Sequence, residues 1–304
     1  MNRPPAFIAS LLSLVLLSFA PAYAATMGAH MGDWSKVDQA LGRQGKDFPG
    51  GVHKVGFPRS DLKVTLDGTP LKAPLALGSW VALMPDHGGA MLMGDLVLTE
   101  TEIGPVMRRL VADGMEITAV HNHLLRTSIP IIYMHVAGQG DPVRLAGTIH
   151  AALALTGTPL TQSPASSASS AAPALNLQSL EKILRAKGTE SGGVDQFSVP
   201  RADVIRDHGA VVPPAMGTAI GINFEATGDG RAATTGDFVL TASEVNPVLK
   251  DLLAHGIEVT ALHTHMVGDS PHLYFMHFWA VQNAEQLARG LSSALDLMHV
   301  KRQT

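Results

Sequence analysis

Two stretches of this sequence decide how the rest is read. Residues 94–136 read GDLVLTETEIGPVMRRLVADGMEITAVHNHLLRTSIPIIYMHV, and residues 236–278 read GDFVLTASEVNPVLKDLLAHGIEVTALHTHMVGDSPHLYFMHF. The match extends without a gap over residues 94–153 and 236–295, where the constant offset is 142 and 23 of 60 pairs are identical. Self-similarity of this length indicates a duplicated domain.

The N-terminal residues are typical of a secretory signal. Arg3 precedes an apolar run at 8–19, and Ala22-Tyr23-Ala24 provides small residues at a cleavage site. The run has about 12 residues, whereas a membrane-spanning helix needs about 20. We therefore expect a periplasmic or secreted protein with no stable membrane insertion after signal cleavage. The predicted parts are a signal peptide at 1–24, a first repeat at 34–156, a Ser/Ala/Pro-rich linker at 157–176 and a second repeat at 177–299.

The composition excludes several classes of protein. Of the 304 residues, 46% are hydrophobic and 16% are charged, which is a globular balance. The formal net charge of -4 gives no basic surface for nucleic acid. There is no cysteine, so disulfides, thiolate chemistry and a lipid-bearing thioether are excluded. The expected partner is an unknown small molecule or a component of the cell envelope.

Each repeat has the turn and helix-capping signals expected of an α+β domain. A Gly-rich turn separates two short apolar runs, and Thr99-x-x-Glu102 and Thr241-x-x-Glu244 fit helix capping boxes. In the first repeat we predict strands at 77–84, 91–98, 116–120 and 129–136, a helix of about 14 residues after Thr99, and a closing helix at 141–155. This β-β-α-β-β-α order predicts a tandem duplication with helices on one face of a mostly antiparallel sheet.

Three histidines in each repeat are the main candidates for chemistry. Two imidazoles separated by one residue in an extended segment point to the same side, and a third can come from the next strand. Three nitrogen donors suit a divalent metal, zinc rather than copper. The predicted ligands are His121, His123 and His135 in the first repeat and His263, His265 and His277 in the second, with His272 as a further candidate.

The register of the strands around these histidines has two readings. A symmetric loop centred between Leu125 and Arg126 would place His135 opposite Glu116, forming a His–Glu pair across the hairpin. A longer loop centred near Ser128 would instead bring His135 beside His121. Both readings remain open from the sequence.

Four carboxylates recur at equivalent places in the two repeats. Asp95 and Asp237 follow glycines, so they are candidates for metal ligation, for orienting an imidazole or for turn chemistry. Glu116 and Glu258 begin a predicted strand, so they are candidates for general acid or base work or are solvated charges. These four are the candidate catalytic residues.

Several segments resemble the LppY/LpqO family of exported bacterial proteins. The resemblance rests on Pro58–Leu62 (PRSDL), Thr118–His123 (TAVHNH) and Tyr274–Phe278 (YFMHF), and it covers nearly the whole predicted mature chain. It implies export and duplication, and it implies no particular reaction. Mycobacterial members of that family are described as lipoproteins, whereas this sequence has no cysteine to acylate.

The leading functional hypothesis is an exported protein in which each repeat binds a divalent metal, or a ligand held by one, through its histidines. The sequence leaves open whether the two repeats share one cleft across a pseudo-twofold axis. One alternative is a metal-dependent hydrolase, in which Glu116 or Asp95 is the base. Another is a cell-envelope interaction module in which the histidines are structural. Whether the chain is an enzyme stays open at this point.

Overall fold

The computed structural model describes residues 1, 33–161 and 173–303. Most of the predicted signal peptide (2–24) and part of the predicted linker (162–172) lie outside the described residues. The first repeat contains, in order, α1 (Ser35–Leu41), β1 (Lys46–Phe48), β2 (Val52–Pro58), β3 (Thr65–Leu66), β4 (Thr69–Pro70), α2 (Ala73–Ala76), β5 (Gly78–Asp86), β6 (Gly89–Thr99), α3 (Glu100–Ala112), β7 (Glu116–His121), β8 (Ile131–Gly140) and α4 (Pro142–Leu153).

The second repeat follows the same plan. It contains α5 (Leu177–Leu184), β9 (Gly188–Ser191), β10 (Val194–Pro200), β11 (Arg206–Asp207), β12 (Ala210–Val211), a 3₁₀ turn (Pro214–Met216), β13 (Ala219–Gly228), β14 (Arg231–Thr241), α6 (Ala242–Ala254), β15 (Glu258–His263), β16 (Asp269–Ser270), β17 (Leu273–Asn283) and α7 (Ala284–Asp296).

Each repeat forms a six-stranded sheet in which neighbouring strands are antiparallel. The strand orders, β1-β2-β5-β6-β8-β7 and β9-β10-β13-β14-β17-β15, are equivalent. The predicted α+β duplication is confirmed, but each sheet has two more strands than the four predicted. β1 is short and none of its three residues is buried, so it has no alternating pattern of burial that the sequence could reveal.

Helices cover one face of each sheet. In the first repeat, Val106 and Leu110 of α3 and Ile149 of α4 pack against Leu96 and Leu98 of β6. The predicted capping boxes are present at the start of α3 and of α6, with both reciprocal hydrogen bonds formed. In the described part of the chain, no helix is both long enough and apolar enough to cross a membrane.

A buried arginine ties the start of each repeat to its capped helix. Arg59 is 1% exposed, and its guanidinium donates to Asp61, to Glu102 and, at 2.7 Å, to the carbonyl of Val97. Arg201 makes the equivalent bonds to Asp203, Glu244 and the carbonyl of Val239. Since Glu102 and Glu244 also cap helices, these networks fix the strand–helix corner in both repeats.

The sheet faces without helices meet each other. Val97 in β6 points away from α3 and belongs to a buried cluster with Val194, Ala233 and Trp279 of the second repeat. The side chain of Asn223 donates across the interface to the carbonyl of Leu75, and Gln196 donates to that of Pro74. The layers are therefore helices, sheet, sheet and helices, and the inner sheet faces lie between the two repeats.

Candidate functional site

The inner face of each sheet carries the predicted histidines. In the first repeat, His121 at the end of β7 pairs with Tyr133 of β8, and Ala119 pairs with His135. His121 and His135 are thus diagonal neighbours on the same face of two adjacent strands. His123 follows two residues after His121, so the three rings can approach one another.

This register is intermediate between the two expected from the sequence. A bulge between Ile117 and Ala119 adds one residue to β7 and shifts the pairing within the strand. Glu116 consequently pairs with Ala137, so the His–Glu pair that the symmetric loop predicted does not form. The difference arises mainly at the loop, which is centred on Thr127 because His121 pairs with Tyr133; the bulge changes the pairing of Glu116 by only one residue.

The three rings of the first repeat lie close together. Ring centroids are 4.8 Å apart for His121 and His123, 5.0 Å for His121 and His135, and 5.9 Å for His123 and His135. In the second repeat, His263 lies 5.7 Å from His265 and 5.1 Å from His277. Each repeat therefore gathers its own trio.

The two trios merge into one group. Among the histidines, the shortest distances between ring centroids cross from one repeat to the other: 3.6 Å for His121–His263, 3.6 Å for His123–His277 and 3.8 Å for His135–His265. His121 meets its own counterpart, whereas the other two pairs exchange counterparts, which is the pattern of a pseudo-twofold axis. We call these six residues the histidine cluster.

Most ring nitrogens of the histidine cluster are buried without a hydrogen-bond partner. Both ring nitrogens of His121 and of His263 are buried and have no hydrogen-bond partner. Including Nε2 atoms of three other rings and Oδ1 of Asp95 and Asp237, nine of the twelve such side-chain atoms in the described part of the chain lie here. A buried polar atom without a partner costs about 1–3 kcal/mol, and a bound metal or another ligand would relieve that cost.

The cluster favours neutral imidazoles. Burial lowers the pKa of all six histidines, and for His263 it lowers the pKa to about 3 with a further contribution from His121. Neighbouring imidazoles also lower the pKa values of His123 and His135, because like charges repel. A neutral ring keeps the lone pair that a metal requires.

Asp95 and Asp237 flank the cluster. They lie within β6 and β14, opposite His135 and His277, so the interpretation of these Gly-Asp pairs as turns is wrong. In each pair, a carboxylate Oδ1 lies 3.8 Å from the imidazole Nε2. Burial raises the pKa of Asp95 to about 8 and that of Asp237 well above its usual value.

Two residues beside the cluster were missed by the sequence analysis. The Nζ atom of Lys54 lies 3.7 Å from the ring centre of Trp80, and burial lowers its pKa to about 8 while Asp95 opposes that shift. The ring of Tyr133 stacks on His123 at 3.5 Å, and its hydroxyl donates to the carbonyl of Ala76 at 2.7 Å. Lys54 lies in β2, which was not predicted, whereas Tyr133 was detectable two residues before His135.

The remaining candidates lie outside the cluster. His272 is half exposed, and its Nδ1 is 2.8 Å from a carboxylate oxygen of Asp269, so it is not an extra member of the group. Glu258 accepts hydrogen bonds from Arg126 at the rim of the interface. Glu116 lines a separate cavity, described below.

Two cavities reach the histidine cluster. The inter-sheet cavity, of about 590 Å³, is bordered by Asp95, Asp237, Lys54, His123 and His277, among others. The mouth cavity, of about 430 Å³, reaches His135 and His265 from the rim. Two sets of ligand atoms lie within 4.8 Å of one another and are suited to a metal: His121 with His123 and His263, and Asp95 with His123 and His135.

The fold and the site define a duplicated α+β protein with one histidine cluster between its sheets. The chain belongs to the family described as "Domain of Unknown Function (DUF1259)", which matches residues 35–155 and again 178–297. The finer resemblance to LppY/LpqO proteins stays a prediction.

No curated protein matches the chain. A solved structure titled "Crystal structure of a trimeric bacterial microcompartment shell protein PduB" is 11% identical, with 84% of this chain and 95% of that chain covered and a TM-score of 0.22, which carries no argument about function.

Proposed function

We propose that this protein binds a divalent metal, zinc in preference to copper, in one centre to which both repeats contribute. The observation that carries the proposal is the convergence of six imidazoles, most of whose ring nitrogens are buried without a hydrogen-bond partner. Imidazole nitrogens and carboxylate oxygens are a ligand set that zinc accepts.

The proposed ligands are taken from the two sets of ligand atoms that lie close enough together to hold one metal. His123 belongs to both, so it is the ligand on which the centre depends most. His121 and His263 come from different repeats yet belong to one group, which supports a shared centre rather than two separate ones. The reading of the histidines as structural residues is less well supported, because such residues normally satisfy their ring nitrogens with hydrogen bonds.

The experiment is metal analysis of the purified full chain, followed by titration of the chelated protein with zinc and copper. We expect bound metal in the wild type and its loss in His123→Ala. The matched control is His150→Ala, since His150 lies outside the cluster and its Nδ1 is already 3.0 Å from the carbonyl of Leu41. Absence of metal from the wild type, combined with no uptake on titration, would end the proposal.

A second candidate function, metal-dependent hydrolysis, is favoured by the mouth cavity. A volume of about 430 Å³ that reaches His135 and His265 leaves room for a small substrate next to the proposed metal. Of the two predicted bases, Asp95 lines the inter-sheet cavity with the cluster and Glu116 lines the mouth cavity. Assays of the metal-loaded protein with esters, amides and phosphoesters test this function, and no turnover of any of them would exclude it for these substrates.

A further inference from the structure

The two rims of the inter-sheet interface carry equivalent glutamates in different surroundings. At one rim, Glu258 accepts hydrogen bonds from Arg126 at 3.0 and 2.7 Å. The same guanidinium also donates to Asp67 at 3.0 and 2.9 Å. Arg126 therefore fills this rim with a cation held between two carboxylates.

At the other rim the glutamate is retained, but the other two equivalent positions hold different residues. The correspondence is Glu116 for Glu258, Gly268 for Arg126 and His208 for Asp67. The last pairing is structural, because His208 and Asp67 both begin a two-residue turn with positive φ, 46° and 48°. In the described part of the chain, Glu116 has no salt-bridge partner where Glu258 has Arg126.

Because this rim has no guanidinium equivalent to that of Arg126, it leaves space for a cavity. The mouth cavity opens at this rim, where its lining includes Glu116, Asp207 and His208, and it has Trp80 and Met216 along its walls. Its inner part reaches His135 and His265. The cavity thus combines an acidic entrance with apolar walls.

Asp207 gives independent evidence for a ligand. Its side chain lines the cavity and is 7% exposed, and its Oδ1 atom is buried without a hydrogen-bond partner. A buried carboxylate oxygen in that state needs a donor, and an organic cation supplies one together with a compensating charge.

We propose that the mouth cavity binds the ammonium or guanidinium group of a small organic molecule between Glu116 and Asp207, with the apolar part of the molecule against Trp80 and Met216. The chain's own Arg126 shows, at the equivalent rim, how such a group is held. The opposite end of the ligand is directed toward His135 and His265. That last point rests on the proposed metal centre, whereas the cation site does not.

Calorimetry with the metal-free full chain, kept in chelator, tests the cation site alone. The probes are n-butylguanidinium and n-butylammonium, with n-butylurea as the neutral analogue. We expect one site per chain for the cations and binding at least about tenfold weaker for the urea, because the charge-assisted hydrogen bonds are lost. Equal binding of the urea, or no binding of either cation, would overturn the proposal.

Matched variants locate the site. Glu116→Gln is expected to weaken cation binding about tenfold, since it removes one charged acceptor. Glu258→Gln, its counterpart at the filled rim, is expected to leave binding unchanged. Unchanged binding in Glu116→Gln would contradict the proposed location.

The second test copies the residues of the filled rim onto the open rim. A Cβ atom on Gly268 alone would lie 2.6 Å from the His208 ring, so Gly268→Arg is combined with His208→Asp to copy the filled rim. We expect this double variant to lose cation binding and to keep the metal content of the wild type. Retained cation binding would overturn the proposal. A wild type without metal that still binds the cations would refute only the metal centre.

Discussion

The imidazole rings of His121 and His263 lie 3.6 Å apart, centroid to centroid, and the two residues are direct counterparts in the two repeats. A residue meets its own counterpart only near the axis that relates the copies. This pair therefore marks the pseudo-twofold axis, and the histidine cluster is built once per chain.

Since the pair lies on the axis, His121→Ala and His263→Ala are expected to weaken metal binding by the same factor. If the two repeats held independent sites, each variant would lose half of the bound metal. A shared centre would instead lose affinity for all of it. Metal per chain, measured over a range of free metal concentrations, distinguishes these outcomes. A variant that keeps half of the wild-type metal at unchanged affinity would contradict a shared centre.

Removing the metal is expected to lower the thermal stability of the chain. A ligand at about 100 times its Kd stabilises the folded state by about 2.7 kcal/mol, and chelation withdraws that contribution. Differential scanning calorimetry with and without chelator measures the change in Tm. The same comparison in His123→Ala is the control, and an equal shift there would mean that chelation acts elsewhere.

Arg59→Met is expected to lower the free energy of unfolding by about 1–3 kcal/mol, because it leaves the buried carbonyl of Val97 and the partly exposed carboxylate of Glu102 without their donor. Arg59→Lys is expected to recover part of the loss, since an ammonium cannot reproduce the guanidinium fork. Urea unfolding measures both. The metal content per folded chain stays at the wild-type value, and a loss of metal in Arg59→Met would show that this network also supports the cluster.

The same network makes stability depend on pH in the acid range. Burial alone would raise the pKa of Glu102, but the hydrogen bonds from Arg59 and from the backbone of Thr99 and Gly157 hold it below 4.5. Because the folded pKa is depressed, the stabilisation is complete above pH 4.5 and is lost as the pH falls through the folded value. Urea unfolding between pH 3 and 7, in steps of about one unit, follows this loss. A parallel pH profile in Arg59→Met would assign the acid sensitivity to other groups.

Tyr133→Phe is expected to cost about 1 kcal/mol of stability through the lost hydrogen bond to Ala76. The metal content is expected to stay unchanged, because the counterpart Phe275 already packs against His265, with ring centroids 3.5 Å apart, without a hydroxyl. Urea unfolding and metal analysis check the two parts separately. A variant without metal would give the Tyr133 hydroxyl a role in the centre.

Much of the fold could be read from local signals. The capping boxes at Thr99 and Thr241 identified both central helices, and the Gly-rich turn identified the β5–β6 hairpin. Both signals act within a few residues of the chain, which is why the sequence contains them. The trio of histidines in each repeat was also predictable, because their spacing matches the periodicity of a strand.

The shared centre could not be predicted in the same way. The contact between His135 and His265 depends on how two sheets face each other, and no local pattern encodes that packing. The bulge next to Ala119 depends on pairing energies across strands rather than on the residues themselves. Lys54 and Asp207 were missed for a related reason, because only their burial at the interface between the sheets distinguishes them from other charged residues.

A chain with a single repeat would have three of the six imidazoles, and its inner sheet face would be uncovered. It would reach the observed arrangement only as a symmetric homodimer, in which every substitution occurs at both rims. Fusion of the copies after gene duplication removes that constraint. One rim can therefore keep an arginine at 126 while the other carries glycine at 268, and the two entrances differ although the histidine pair at the axis is the same in both repeats.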